Sequence, residues 1–92
     1  VIKSFGDRRT ADLAAGKRVR EFQAFEKQAQ RRLLVLDAAE RIEDLRMLPS
    51  NRLEALRGDR QGQFSSRINE QWRICFTFSE GNAFDVEITD DH

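Results

Sequence analysis

Between Lys17 and Leu36 the apolar residues Val19, Phe22, Phe25, Ala29, Leu33 and Leu36 recur at spacings of three and four. That period predicts an amphipathic helix with a single buried stripe. Its other face carries Lys, Arg, Glu and Gln, including the pair Arg31-Arg32, which reads as solvated. Asp37 followed three residues later by Glu40 has the form of a helix-start signature, so a second helix is expected from about Ala38 to Arg46. Ile42 and Leu45 would face inward, and Pro49 would prevent continuation. Upstream, Thr10 to Ala15 suits a short helix stopped by Gly16. Val1 to Phe5 reads as a short strand, with Ile2 and Ser4 on one face and Val1, Lys3 and Phe5 on the other.

After Gly62 the pattern changes to alternation. The segments 63–68 and 72–78 predict a hairpin closed by Asn69-Glu70-Gln71, pairing Ile68 with Trp72, Ser66 with Ile74 and Phe64 with Phe76. A turn at Glu80-Gly81-Asn82 would lead into a strand over 83–88, with Phe78 opposite Phe84, Phe76 opposite Val86 and Ile74 opposite Ile88. A slip of one residue would set Phe78 against Asp85, so apolar matching selects this register. The expected core face is Phe64, Ile68, Trp72, Ile74, Phe76, Phe78, Phe84, Val86 and Ile88, covered by the helices.

The same register sets Arg67 directly across from Arg73 on the other face. Like charges across a ladder are destabilising. Either the two side chains splay into water, or they converge on an anion, for which the planar guanidinium of arginine is suited.

Composition narrows the function. Ninety-two residues suffice for one domain, 1–92, with a thin core. The net charge is zero, unlike a generic nucleic-acid coat. The charge is nonetheless segregated: 11 basic and 8 acidic residues before Ser50, 5 and 8 from there on. The lone cysteine, Cys75, excludes an internal disulfide and reads as a buried thiol. With a single histidine, His92, no zinc-ligand spacing exists, and no metal or cofactor is expected. No stretch approaches the ~20 apolar residues of a membrane span and no signal peptide is visible, so a soluble cytoplasmic protein is expected.

Two linked motifs stand in the second half: Leu53-Glu54-Ala55-Leu56-Arg57-Gly58-Asp59-Arg60-Gln61-Gly62, and Asn69-Glu70-Gln71-Trp72-Arg73-Ile74-Cys75-Phe76. With Ile2-Lys3-Ser4-Phe5 at the start and Asp-His at the close, the chain resembles the HigB-like toxins, of the plasmid maintenance killer type, in the RelE/ParE superfamily. The resemblance implies an α+β fold, two or three N-terminal helices on one face of a small, mainly antiparallel sheet of about four strands. It also implies a ribosome-dependent mRNA endoribonuclease restrained by a helix-turn-helix, HigA-like antitoxin. DNA would be met only through that antitoxin, and no membrane is involved.

Carried over residue by residue, the resemblance implies catalytic roles for Glu54, Arg73, Asp90 and His92. It implies substrate contacts for Arg57, Arg60, Arg67 and Asp91. The chain departs from the family pattern in having Glu54 in place of histidine and Asp91 in place of tyrosine. A carboxylate still offers a base, although of ordinary pKa ~4.3 against ~6.5 for imidazole. Loss of the aromatic removes a stacking surface, and the two changes together imply a slow or unusual nuclease. RNA cleavage without a metal needs a base for the 2′-OH, cations for the transition state and an acid for the leaving 5′-oxygen. Glu54 and His92 can serve as base and acid in either direction. The same superfamily leaves open a ParE-like gyrase poison, or a toxin acting mainly on ribosome assembly.

Overall fold

The computed structural model describes residues 1–90. Among them are helices α1 (Arg8–Ala14), α2 (Glu26–Ala38) and α3 (Ile42–Arg46), followed by strands β1 (Glu54–Ala55), β2 (Phe64–Arg67), β3 (Trp72–Ser79) and β4 (Asn82–Asp90). The strands form one sheet in the order β1-β2-β3-β4, every neighbour antiparallel. The helices cover one face, where Leu13, Phe22, Leu33, Leu36 and Leu45 join Ile68, Ile74, Phe76, Val86 and Ile88 in a single core. The α+β layout expected from the sequence is the one observed.

The stripe expected on the long helix is buried throughout, from Val19 to Leu36. Its backbone differs. Arg20–Phe25 is a 3-10 helix, and only Glu26 onward is α-helical. In a 3-10 turn residues three apart eclipse, which brings Phe22 and Phe25 together on one aromatic partner. Trp72 stacks on Phe25 at 5.2 Å and meets Phe22 edge-on at 5.6 Å. Trp72 therefore belongs to the packing layer.

Asp37 does not start a helix. It lies in the last turn of α2, where its carboxylate accepts the Ile2 amide at 2.8 Å. Asp44 starts α3 instead, accepting the Glu40 and Arg41 amides at 3.0 and 3.1 Å. Both donors precede the first helical residue, where amides lack intrahelical partners. Arg32 also departs from expectation. It leaves the solvated face and binds the Ser50 carbonyl at 3.2 Å and the buried Asn51 side chain, tying α2 to the turn that leads into β1.

The β2–β3 register is as read from the sequence: Phe64 with Phe76, Ser66 with Ile74, Arg67 with Arg73. The β3–β4 register is corrected. The turn holds two residues, Glu80 and Gly81, both at positive φ (50° and 79°), between the pair Ser79–Asn82. That geometry matches strand twist and is favoured in hairpins. It sets Phe78 opposite Ala83 and Thr77 opposite Phe84, so Ala83 is buried and Phe84 falls outside the core cluster. A bulge between these pairs and Cys75–Glu87, with Asp85 at φ 55°, restores the Ile74–Ile88 pairing. The extra residue reverses parity, so Ala83, Val86 and Ile88 all reach the core.

The N-terminal segment braces this bulge rather than forming a continuous strand. It bridges β4 in parallel at Ile2–Ala83 and Phe5–Val86, and the Ser4 hydroxyl accepts the Asp85 amide at 2.8 Å. A Cβ at Gly6 would stand 3.1 Å from the Asp85 carbonyl, closer than most real contacts. Further along, the Ile88 amide donates to the buried Thr10 hydroxyl of α1 at 2.9 Å. The outer edge of β4 is thus largely occupied.

Candidate active site

The face of the sheet turned away from the helices holds the chemistry. Strand pairing lays Glu54, Ser65, Cys75 and Glu87 in one row across all four strands. Arg67, Arg73 and Thr89 form the next row. Glu54 reaches its place because β1 is a true strand, paired with Ser65. The turn before it passes through Arg52 in the left-handed region (φ 43°) and is the turn held by Arg32.

Arg73 crosses from its own row towards the first. Its Nε donates to the Ser65 hydroxyl at 3.0 Å, and its Nη2 lies 3.2 Å from the Glu54 carboxylate. Arg67 turns the opposite way, its Nε donating to the Asn69 carbonyl of the hairpin turn at 3.1 Å. The two arginines are therefore in register, as the apolar pattern required, while their Nε contacts diverge. That divergence answers the like-charge juxtaposition.

A cleft of about 310 Å³ opens beside Arg73. Glu54, Arg60, Ser65 and Arg73 line it, with Cys75, Thr89, Leu56 and Asp90 completing the wall. Arg60 comes from the 3-10 turn Gly58–Arg60, donates to the Gln63 side chain at 3.3 Å and stands 3.6 Å from Glu87. Asp90 ends β4 and accepts from the Gln71 side-chain Nε2 at 3.0 Å. Arg57 is exposed at the start of the 3-10 turn and does not line the cleft, nor does Arg67. Asp91 and His92 lie outside the described residues.

Four of the eight sequence-named residues thus meet at one cleft: Glu54, Arg60, Arg73 and Asp90. Ser65, Cys75 and Thr89 were missed, although the signal was present. Each is two residues from, or paired with, an arginine already assigned to that face, and strand parity carries them along. Cys75 is buried as expected, with Sγ 3.6 Å from the Thr89 hydroxyl, but it faces the cleft and not the helices. A larger groove of about 510 Å³, between the N-terminal segment, α1 and α2, contains none of the named residues. Among the described residues no group of three or more His, Cys, Asp or Glu could hold a metal ion. No helix among them is long and apolar enough to cross a membrane.

Comparison with known proteins places the chain among toxins and their structural relatives. The family described as the RelE-like toxin of the type II toxin–antitoxin system HigB matches residues 12–92. "Toxin HigB-1" of Vibrio cholerae serotype O1 is 43% identical over 56 residues, 61% of this chain and 59% of that protein. "Endoribonuclease HigB" of Proteus vulgaris is 36% identical over 61 residues, 66% of this chain and 65% of that protein. These two alignments span about three fifths to two thirds of the relatives' lengths. The crystal structure of YafQ from E. coli strain BL21(DE3) superposes with a TM-score of 0.66 at 12% identity, covering 99% of this chain and 92% of that one. At that identity the likeness is one of fold.

Proposed function

The chain belongs to the HigB-like family of RelE-like toxins of type II toxin–antitoxin systems, and we propose that it is an mRNA endoribonuclease acting at the cleft beside Arg73. The observation that carries this reading is Arg73 itself: a guanidinium held by a buried hydroxyl at the wall of a cleft, with a carboxylate at 3.2 Å. The relative named as an endoribonuclease supports the reaction class.

The proposed reaction is internal transesterification. A base removes the proton of a ribose 2′-OH, and its oxygen bonds to the adjacent phosphorus. The P–O5′ bond breaks, and an acid returns a proton to O5′. The products are a 2′,3′-cyclic phosphate and a 5′-hydroxyl, and no co-reactant is consumed. Arg73 meets the charge growing on the phosphoryl oxygens, where a fixed donor stabilises the transition state more than the ground state. Glu54 and His92 supply the base and the acid. Asp90, at the end of the strand that leads into His92, orients that side chain. Arg60 holds a neighbouring phosphate within the cleft, and Arg57, Arg67 and Asp91 contact the RNA.

Glu54 faces Arg73 before substrate arrives, and its side chain is 61% exposed. The pair is open to water on the Glu54 side, so the carboxylate can be rehydrated when it leaves the guanidinium. An incoming phosphate can therefore take over the guanidinium and release the carboxylate for proton transfer. The substrate is mRNA presented by the ribosome in the cytoplasm. A HigA-like helix-turn-helix antitoxin restrains the toxin and is its only link to DNA.

Primer extension on mRNA from a translation mixture tests the reading. The parent protein should give new 5′-hydroxyl ends, absent with a variant lacking Asp91 and His92 that keeps the same Tm. Uncut mRNA with the parent, or DNA breaks in its place, would overturn it.

A further inference from the structure

Arg73 lines the cleft, yet the position of an arginine fork is not fixed by its own backbone. Four side-chain torsions separate the guanidinium from β3. Glu54 is a poor anchor, being on an edge strand of two residues and largely exposed. The partner of Arg73 on β2 is different. Ser65 is fully buried, 0% exposed, in a strand paired on both sides, and its hydroxyl accepts from Arg73 Nε at 3.0 Å.

We infer that Ser65 is a positioning residue, which fixes the guanidinium of Arg73 so that its terminal nitrogens face a phosphate group in the cleft. The inference rests on the reading of the cleft as an RNA-cleaving site. Its residues and chemistry go beyond that reading in one respect: Ser65 touches no substrate and acts only through Nε.

Three observations carry it. The row Glu54–Ser65–Cys75 brings the hydroxyl directly beneath the path of the Arg73 side chain. A buried polar group costs free energy unless it is paired, and Nε is the partner that the Ser65 hydroxyl has here. The bond engages the one guanidinium nitrogen that lies along the stem. The two terminal nitrogens form the edge that matches a phosphate bidentately. Arg67, in the same ladder pair, shows the alternative: with its Nε bound to the Asn69 carbonyl, it is directed to the hairpin turn and stays off the cleft.

The test is a double-mutant cycle read by two methods. In the parent background S65A should lower kcat/KM for mRNA cleavage on the order of 10- to 100-fold, the range for a hydrogen bond to a charged group. S65T, which keeps a hydroxyl, should restore most of it. In R73K, which has no Nε, S65A should cause no further loss. A purely structural role would lower activity equally in both backgrounds, and that result overturns the inference.

The second method needs no cleavage. In the parent protein the Arg73 Nε–H signal should be slow to exchange with water in NMR spectra, and inorganic phosphate should shift it. S65A should make exchange fast and weaken the phosphate response about tenfold, with S65T behaving like the parent. An unchanged Nε–H signal in S65A overturns the inference whatever the cleavage assay shows. If the parent cuts no RNA while this signature holds, the nuclease reading falls and the Ser65–Arg73 coupling stands.

Discussion

The carboxylate of Glu54 lies 3.2 Å from Nη2 of Arg73, linking the short edge strand β1 to β3 across the intervening strand β2. The partners are unequally placed: the Arg73 side chain is 15% exposed and that of Glu54 is 61% exposed. Such a pair ties the site together without anchoring the fold, so activity and stability should separate when it is cut.

Glu54→Ala should change stability by no more than about 1 kcal/mol. Cleavage should fall about 10²- to 10⁴-fold if the carboxylate transfers a proton. Glu54→His tests the same step by pH. A base must be deprotonated to act, and free imidazole titrates about two units above free carboxylate. The acid limb of the rate–pH profile should therefore move upward. An unmoved limb would assign proton transfer elsewhere.

Arg73→Lys keeps the charge but loses Nε and the planar fork. Cleavage should drop about 10²- to 10³-fold, the usual loss for one electrostatic donor. The far-UV spectrum should change little, because the side chain lies on the site face and outside the core cluster, while Tm should fall modestly as the buried Ser65 hydroxyl loses its Nε partner. Full activity in the lysine variant would show that charge alone suffices.

Thr10 supports the edge of β4 by accepting the buried Ile88 amide at 2.9 Å. Thr10→Val keeps the shape and leaves that amide unpaired, at a cost of about 1–3 kcal/mol. Thr10→Ser should recover most of the loss. Urea unfolding should show a lower midpoint with an unchanged slope.

Asp85 sits at the β4 bulge with φ 55°. L-residues other than glycine, asparagine and aspartate adopt this region at a cost of roughly 1–2 kcal/mol. Asp85→Gly should be neutral or slightly stabilising, and Asp85→Val clearly destabilising by the same urea assay. Equal midpoints for the two variants would mean that the bulge is not retained.

Asp44 carries an acid-dependent part of the stability. Hydrogen bonds from the Glu40 amide, then from the Arg41 amide, hold its carboxyl below the ordinary carboxylate value of 3.8, against a smaller opposing effect of burial. A depressed folded-state pKa means the unfolded chain takes up the proton first. The stabilisation is thus complete above the unfolded value and fades as pH falls through the folded one. Asp44→Asn should flatten the decline of Tm over that acid range, while leaving its slope near neutral pH unchanged.

The sequence by itself determined the buried stripe from Val19 to Leu36 and how β2 meets β3. Both follow from short-range periodicity: a slip of one residue between those strands would put Phe64 on the opposite face from Ile74 and Phe76. It also determined the arginine pair, since Arg67 and Arg73 follow from that register. The motif around Glu54 and Arg73 pointed to the site, although their contact joins positions 19 residues apart through an intervening strand.

Only the tertiary structure decided the rest. The Glu80-Gly81 turn and the Asp85 bulge each shift register, and their effects cancel by Ile88. Apolar matching at Ile74–Ile88 was blind to both, and so placed Phe84 in the core in place of Ala83. Asp37 and Arg32 carry local signatures of a helix start and a solvated face, but distant backbone groups of Ile2 and Ser50 needed partners and took them. The same reason applies at the site. Strand parity put Arg67 and Arg73 on one face, while the acceptors within reach, the Asn69 carbonyl and the Ser65 hydroxyl, decided which of them faces the cleft.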